Sequence, residues 1–102
     1  MMLYAVTKQD DIETATLFYS YDEYHTATFT PDIETTCLIE LDRLKGKTYK
    51  ERKADLQSKA ITFSNNAAPG LYMSDMVEIS NYFERYGERY GLLTEFRDES
   101  II

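Results

Sequence analysis

Alternating apolar and polar positions in the first third of the chain predict β-strands. Met2–Lys8 is short, apolar and partly β-branched, and the polar segment Gln9–Asp11 follows it, which predicts a strand and a turn. Ala15–Ser20 and Tyr24–Thr30 are rich in threonine and aromatic residues, so we expect them to form a β-hairpin. The competing interpretation is an amphipathic helix over Ile12–Tyr19, capped by an aspartate of the preceding turn.

The next segment, residues 31–45, fits two patterns. Thr30 followed by Pro31 resembles a helix start, and four apolar residues then recur at helical spacing: Ile33, Cys37, Leu41 and Leu44. However, Thr35 and Thr36 are β-branched, and the residues after them alternate between apolar and polar with Leu38 as the one exception. Helix and strand therefore both remain open for this segment.

The second half of the chain shows helical periodicity. Thr48–Ser64 opens with a T-x-x-E capping box, and its apolar face comprises Tyr49, Leu56, Ala60 and Phe63. Ser74–Tyr90 is predicted to be the last long helix, with Ser74 as its cap. Its core face follows a 3-4-3-4 spacing through Met76, Ile79, Phe83, Tyr86 and Tyr90.

Two glycines interrupt the end of this last helix. Gly87 indicates either close packing or an early end to the helix, because glycine costs about 1 kcal/mol relative to alanine in a helix interior. Gly91 is the better terminator, since it adopts the left-handed conformation without strain. We expect Leu92 to fold back on the last helical turn, with Phe96 in a short further turn over Leu93–Arg97.

These elements predict an α+β fold, with an N-terminal antiparallel sheet of three or four strands packed by two main C-terminal helices. A length of 102 residues suits a single domain spanning residues 1–102.

Composition narrows the setting of the protein. No apolar run approaches the roughly 18 residues of a membrane span, and the N-terminus does not resemble a secretion signal. A single cysteine allows no internal disulfide, so we expect a cytoplasmic protein without membrane partners.

Few residues suggest chemistry. His25 and Cys37 are the only histidine and cysteine, which argues against a zinc site, and the paired acids lack the spacing of a calcium loop. Gly46-Lys47-Thr48 lacks the earlier glycine of a phosphate-binding loop, since position 41 is leucine. We therefore expect no catalytic residues, no metal and no cofactor, and we do not expect an enzyme.

Charge is unevenly distributed. The net charge is −7, and residues 1–44 carry all of this excess, with nine acids and two bases. The segment 45–53 has the opposite character, because five bases and one acid surround a tyrosine. Bases oppose the dipole at a helix start, so this segment is a candidate anion or nucleic-acid contact. Its residues are Lys45, Lys47, Tyr49, Lys50, Arg52 and Lys53.

The stretch 82–97 reads YFERYGERYGLLTEFR and contains a near-repeat, RYGERYG. Tyrosine and arginine dominate the energetic centres of protein interfaces. Tyr82, Arg85 and Arg89 are therefore the candidate interaction surface for a protein partner.

The segment GKTYKERK at Gly46–Lys53, together with YFERYGERYGLLTEFRDESII at the C-terminus, resembles small uncharacterised proteins of Gram-positive phages and conjugative elements. The resemblance covers Gly46–Ile102 and implies genetic context rather than mechanism. It also slightly favours a strand at Thr36–Leu41.

We therefore expect a non-catalytic protein-interaction module of a phage or mobile genetic element that binds a host or element-encoded protein. The alternatives are a nucleic-acid-associated protein using the basic segment, and an acidic inhibitor that mimics DNA. The apolar end, Ile101-Ile102, and the many tyrosines are consistent with a homodimer.

Overall fold

The computed structural model describes residues 1–102 and confirms the α+β fold. Its strands are β1 (Leu3–Gln9), β2 (Ile12–Phe18) and β3 (Glu34–Glu40). Its helices are α1 (Tyr21–Ala27), α2 (Tyr49–Asn65), α3 (Met73–Arg89) and α4 (Leu93–Asp98). The strands form one antiparallel sheet in the order β2-β1-β3.

The chain divides into two compact units. The sheet unit comprises Met1–Asp42 and Asn66–Leu71, and the helical unit comprises Arg43–Asn65 and Tyr72–Ile102. The single domain expected over residues 1–102 stays a prediction.

The first hairpin joins β1 to β2, so the predicted hairpin between Ala15–Ser20 and Tyr24–Thr30 is wrong. Asp10 and Asp11 both have positive φ, at 53° and 63°, and Gln9 pairs with Ile12 across them. Two such residues form the two-residue turn whose twist matches that of the flanking strands, and aspartate tolerates this conformation. The alternative helix over Ile12–Tyr19 is also wrong, because the tight turn commits this segment to pairing with β1.

Helix α1 replaces the second strand of the predicted hairpin. Ser20 Oγ accepts the Glu23 N–H at 3.1 Å, and Glu23 Oε2 accepts the Tyr19 N–H at 3.0 Å, so the helix start is satisfied locally. Tyr24 packs against the buried cluster of Leu3, Ala5 and Phe18, and its ring lies edge-on to Phe18 at 5.7 Å. This capping and packing outweigh the β-propensity of the threonines.

Strand β3 resolves the ambiguity of residues 31–45 in favour of the strand. Cys37 and Ile39 are buried, whereas Leu38 between them is exposed, so the alternation is complete despite the apolar residue. A bulge between the pairs Val6–Cys37 and Thr7–Thr35 accommodates Thr36.

One face of the sheet is buried along all three strands, with Tyr4, Val6, Ala15, Leu17, Cys37 and Ile39 on it. The segment Asn66–Leu71 binds this region twice. The Tyr4 hydroxyl donates to the Asn66 carbonyl at 2.7 Å, and the Ala15 N–H donates to the Pro69 carbonyl at 2.8 Å.

Helices α2 and α3 confirm the two predicted long helices, and they run in opposite directions. Tyr49 at the start of α2 lies 5.0 Å from Tyr90, ring to ring, and Phe63 near the end of α2 lies 5.6 Å from Phe83. Tyr49 was expected on the core face, yet it is exposed apart from this contact.

The start of α3 differs from the prediction. Tyr72 is the cap residue and makes no side-chain capping bond, so the expected Ser74 cap is wrong. Met76 was expected in the core but is exposed, while Ile79, Tyr82 and Phe83 are buried. The aromatic rings of α2 and α4 pack on α3 at Phe83, about two turns beyond its exposed first turn.

The two C-terminal helices end in the same way. Leu92 N–H bonds to Gly87 O at 2.7 Å and Gly91 N–H to Glu88 O at 3.4 Å, with Gly91 at φ 70°. This is the Schellman arrangement, and it confirms Gly91 as the terminator and Leu92 as the residue that folds back. Helix α4 repeats it, with Ile101 bonded to Phe96 O and Ser100 to Arg97 O.

Gly87 marks close packing rather than a helix end. A Cβ at this position would lie 2.9 Å from Cδ2 of Phe96, whose buried ring also meets Phe83 edge-on at 5.7 Å. A side chain at residue 87 would therefore displace a rigid ring from the core.

We expect Gly87→Ala to destabilise the protein by roughly 1–2 kcal/mol, because overpacking against Phe96 outweighs the helix propensity of alanine. Urea unfolding measures this. Gly91→Ala is the comparison for backbone strain alone, since its Cβ would meet no atom within 4 Å but alanine is strained at φ 70°, so it should destabilise without involving Phe96. Adding Phe96→Leu should relieve part of the Gly87→Ala cost, and a Gly87→Ala protein more stable than the parent would contradict the packing role.

Candidate interaction surfaces

The basic segment lies at the start of α2 and is largely in solvent. Five of its six candidate residues are exposed and Lys53 is half-buried. The exposed ones are Lys45, Lys47, Tyr49, Lys50 and Arg52. The structure therefore brings the predicted anion-contact residues together on one helix end.

Three backbone amides just before α2 bond to the chain's own carboxylates. Glu51 Oε2 accepts the N–H groups of Lys47 at 2.6 Å and Thr48 at 3.2 Å, while Thr48 Oγ1 accepts the Glu51 N–H at 3.2 Å. Asp55 Oδ2 accepts the Lys45 N–H at 2.8 Å. The predicted capping box is confirmed, and an external anion would have to compete with Glu51 for the Lys47 and Thr48 amides.

Lys59 is buried and ties the segment before α2 to the helix, a role that the sequence analysis did not identify. Lys59 Nζ lies 3.2 Å from Asp55 Oδ2 and donates to the Arg43 carbonyl. The acid stands four residues before the base, which is the favourable order on a helix. The spacing of Asp55 and Lys59 is visible in the sequence, but their burial is not.

Capping by Glu51 makes the stability of the folded protein depend on pH. Bonds from the Lys47 and Thr48 amides hold the pKa of the Glu51 carboxyl below its ordinary value. A depressed folded-state pKa contributes stability above the unfolded pKa of about 4.3, and this contribution is lost as pH falls through the folded value.

Glu51→Gln should therefore reduce the loss of stability between about pH 5 and pH 3, because one carboxylate no longer titrates differently in the folded state. Thermal unfolding across this range measures the slope. Glu84→Gln is a matched control, since this exposed glutamate of α3 accepts none of the described hydrogen bonds. Equal slopes for the parent and Glu51→Gln would contradict the assignment.

The second candidate surface, on α3, is divided by the fold. Arg85 and Arg89 are exposed and both lie near the Tyr86 ring, at 5.8 Å and 5.4 Å from Cζ to centroid. Tyr82 is instead buried against the Phe83 and Tyr86 rings. Tyr82 consequently belongs to the core, and only the two arginines remain available to a partner.

The Tyr82 hydroxyl is buried and has no hydrogen-bond partner. Burial raises the pKa of this phenol, and the nearby Tyr86 and Asp55 reinforce the shift, so it remains protonated at neutral pH. A buried donor without a partner loses its hydration without compensation.

Tyr82→Phe should leave the free energy of unfolding unchanged or raise it by up to about 1 kcal/mol, because the orphan hydroxyl is removed while the ring stays. Tyr4→Phe is the counterpart, since its hydroxyl donates to Asn66 O, and it should cost about 1 kcal/mol. Urea unfolding compares the two. A clear loss of stability in Tyr82→Phe would show that its hydroxyl does have a partner.

An exposed apolar patch at the start of α3 was missed at the sequence level. Tyr72, Met73, Met76 and Val77 have exposed fractions of 76%, 81%, 57% and 51%. Spacings of three and four residues place Met73, Met76 and Val77 on one side of the helix. Contiguous exposed apolar side chains of this kind are typical of protein contacts, and methionine adapts to varied partners.

His25 and Cys37, the only histidine and cysteine, both pack against other side chains or lie in the core. His25 lies on α1 beside the rings of Tyr21 and Tyr24, at 6.1 Å and 5.2 Å. Cys37 is buried as expected, and burial raises the pKa of its thiol. No group of three or more His, Cys, Asp or Glu side chains is placed to bind a metal ion.

No family model matches the chain, and no curated protein or solved structure matches it either. The resemblance to phage and conjugative-element proteins stays a prediction. None of the helices combines the length and the apolar character needed to cross a membrane.

Proposed function

We propose that this chain is a non-catalytic protein-interaction module of a phage or mobile genetic element, and that it binds a host or element-encoded protein. The observation that carries the proposal is the apolar patch of Tyr72, Met73, Met76 and Val77. Leaving four large apolar side chains in water is unfavourable by about 25 cal/mol for each Å² of apolar surface, and a partner surface would recover this. The genetic context rests on the sequence resemblance alone.

The same face of α3 continues into polar residues. Asn81, Glu84, Arg85 and Glu88 line a shallow depression further along the helix. An apolar centre bordered by polar and charged groups is the usual anatomy of a protein interface. Arg85, one of the two arginines expected at the interaction surface, thus lies at the rim of the proposed interface.

The nucleic-acid alternative receives less support from the geometry. Glu51 and Asp55 accept the amides of Lys45, Lys47 and Thr48, so a phosphate would have fewer backbone donors here than at an uncapped helix start. DNA binding that weakens steeply with salt would favour it. Both this alternative and the acidic DNA mimic stay predictions, as does the homodimer, although Ile101 is buried.

The proposed interface is tested by placing a photo-crosslinking amino acid at Met76 and, as the matched control, at exposed Thr94 on α4. We expect a specific protein from a Gram-positive lysate to crosslink at Met76 only, because the patch faces that partner. Mass spectrometry identifies the adduct.

A variant with charges in the apolar patch tests the same interface in a second way. Met73→Asp with Val77→Asp should abolish the crosslink by desolvating two carboxylates at the contact. Ser58→Asp with Thr94→Asp adds the same charge at exposed positions elsewhere and should retain it. Equal capture at both probe positions, or capture that survives the patch variant, would contradict the proposal.

A further inference from the structure

The sheet has one edge whose outward backbone groups have no hydrogen-bond partner within the sheet unit. The Ala15 N–H of β2 points away from β1, because it bonds to the Pro69 carbonyl. Val6, which pairs with Ala15, therefore directs its backbone groups toward β3, and Thr36 Oγ1 bonds to the Val6 carbonyl. The β2 edge is thus partly closed by the segment Asn66–Leu71.

The backbone groups at the outer edge of β3 follow from this alternation. Cys37 and Ile39 pair with Val6 and Tyr4 and point toward β1, so Leu38 and Glu40 present their N–H and C=O groups outward. No described hydrogen bond reaches these outward groups, and the Leu38 side chain is 42% exposed. Beyond the bulge at Thr36 the strand continues regularly to Glu40 and offers a template for another strand.

Charge around this edge is predominantly negative. The sheet unit carries nine acidic residues and a single base, Lys8, giving a formal charge of −8, whereas the helical unit carries ten bases and nine acids. Neither lysine nor arginine occurs between Lys8 and Arg43. Glu34 and Glu40 lie at the two ends of β3 itself; Glu34 stands across from Lys8 of β1, and Glu40 accepts the Tyr21 hydroxyl at 3.0 Å with its second carboxylate oxygen open to a cation.

These charges decide what can pair with the edge. A second copy paired antiparallel through β3 would place Glu40 of one chain near Glu34 of the other, and like charges on neighbouring strands are destabilising. An extended segment with lysine or arginine near its ends would instead face an opposite charge at each end. Such complementarity also speeds association with a basic partner.

We propose that β3 binds an extended, basic segment of a partner protein as a fourth strand of the sheet. The segment hydrogen-bonds to the outward backbone groups of Leu38 and Glu40, and its cationic side chains lie against Glu34 and Glu40. This inference rests on the proposed function as a protein-interaction module, but it uses a different surface from the α3 patch.

The probe is a capped peptide of alternating threonine and valine with two lysines at each end, and its matched control carries glutamates instead. We expect the lysine peptide to bind more weakly as salt rises, since the charges are exposed. Amide hydrogen exchange then locates it. The Leu38 and Glu40 amides should exchange at least tenfold more slowly with peptide, whereas those of Cys37 and Ile39 should change little.

Variants separate strand pairing from charge attraction. Leu38→Pro removes an outward N–H at an edge position that tolerates proline, and it leaves every acid in place. It should weaken peptide binding at least tenfold. If the proline variant does not fold, the lysine peptide methylated at its central backbone nitrogens, which keeps every charge, should bind the parent protein at least tenfold more weakly. Glu34→Gln with Glu40→Gln should weaken binding, and Glu84→Gln with Glu88→Gln on α3 should not.

Three results would overturn the inference. One is unchanged binding of the lysine peptide to Leu38→Pro, or of the N-methylated peptide to the parent protein, together with weaker binding in the glutamine pair; this would mean attraction to a diffuse acidic surface. Another is binding without protection of the Leu38 and Glu40 amides. The third is a dimer without peptide that Leu38→Lys dissociates, which would make a second copy the occupant. Because the Met76 crosslink does not involve β3, its failure would be distinguishable from each of these.

Discussion

The central position of β1 is the constraint on which the sheet unit depends. A sheet of three strands in the order β2-β1-β3 has two edges for one interior strand, so two of its three strands carry unpaired backbone groups. The segment Asn66–Leu71 closes part of the β2 edge through Pro69, although it lies far along the chain. On β3 the bulge at Thr36 and the flanking glutamates limit self-pairing without covering the backbone. The open edge and the acidic surroundings thus occur in the same unit.

In the helical unit, the corresponding constraint is the close approach of Phe96 to Gly87. It allows α4 to pack against α3 with the Phe83 and Phe96 rings in edge contact. Both helices then close with the same hydrogen-bond arrangement, one through Gly91 and one through Ser100 at φ 58°. The tandem that resembled a binding signature is therefore chiefly a packing and chain-reversal device. The exposed apolar residues of the first turn of α3 lie apart from these contacts.

The candidate surfaces show how differently sequence and structure inform on function. Clustering of bases at residues 45–53 follows from the sequence, but the structure shows that Glu51 and Asp55 occupy three of the amides before the helix. Tyr82 had the composition of an interface residue and is buried, whereas Met76 had the periodicity of a core residue and is exposed. Periodicity identifies a helical face, but how far along the helix a neighbour covers that face depends on distant residues.

The sequence by itself determined the α+β class, β1, the two long helices, the Thr48–Glu51 capping box and the Gly91 stop, because each arises from interactions within a few residues. Only the tertiary structure decided the rest. Tyr24–Thr30 reads as a strand by propensity, yet capping by Ser20 and packing of Tyr24 on Phe18 make much of it helical. Residues 31–45 fit both helical and strand periodicity, and pairing with β1 makes Glu34–Glu40 a strand. The open β3 edge and the exposed start of α3 depend on which distant segments pack beside them, and local sequence does not determine that.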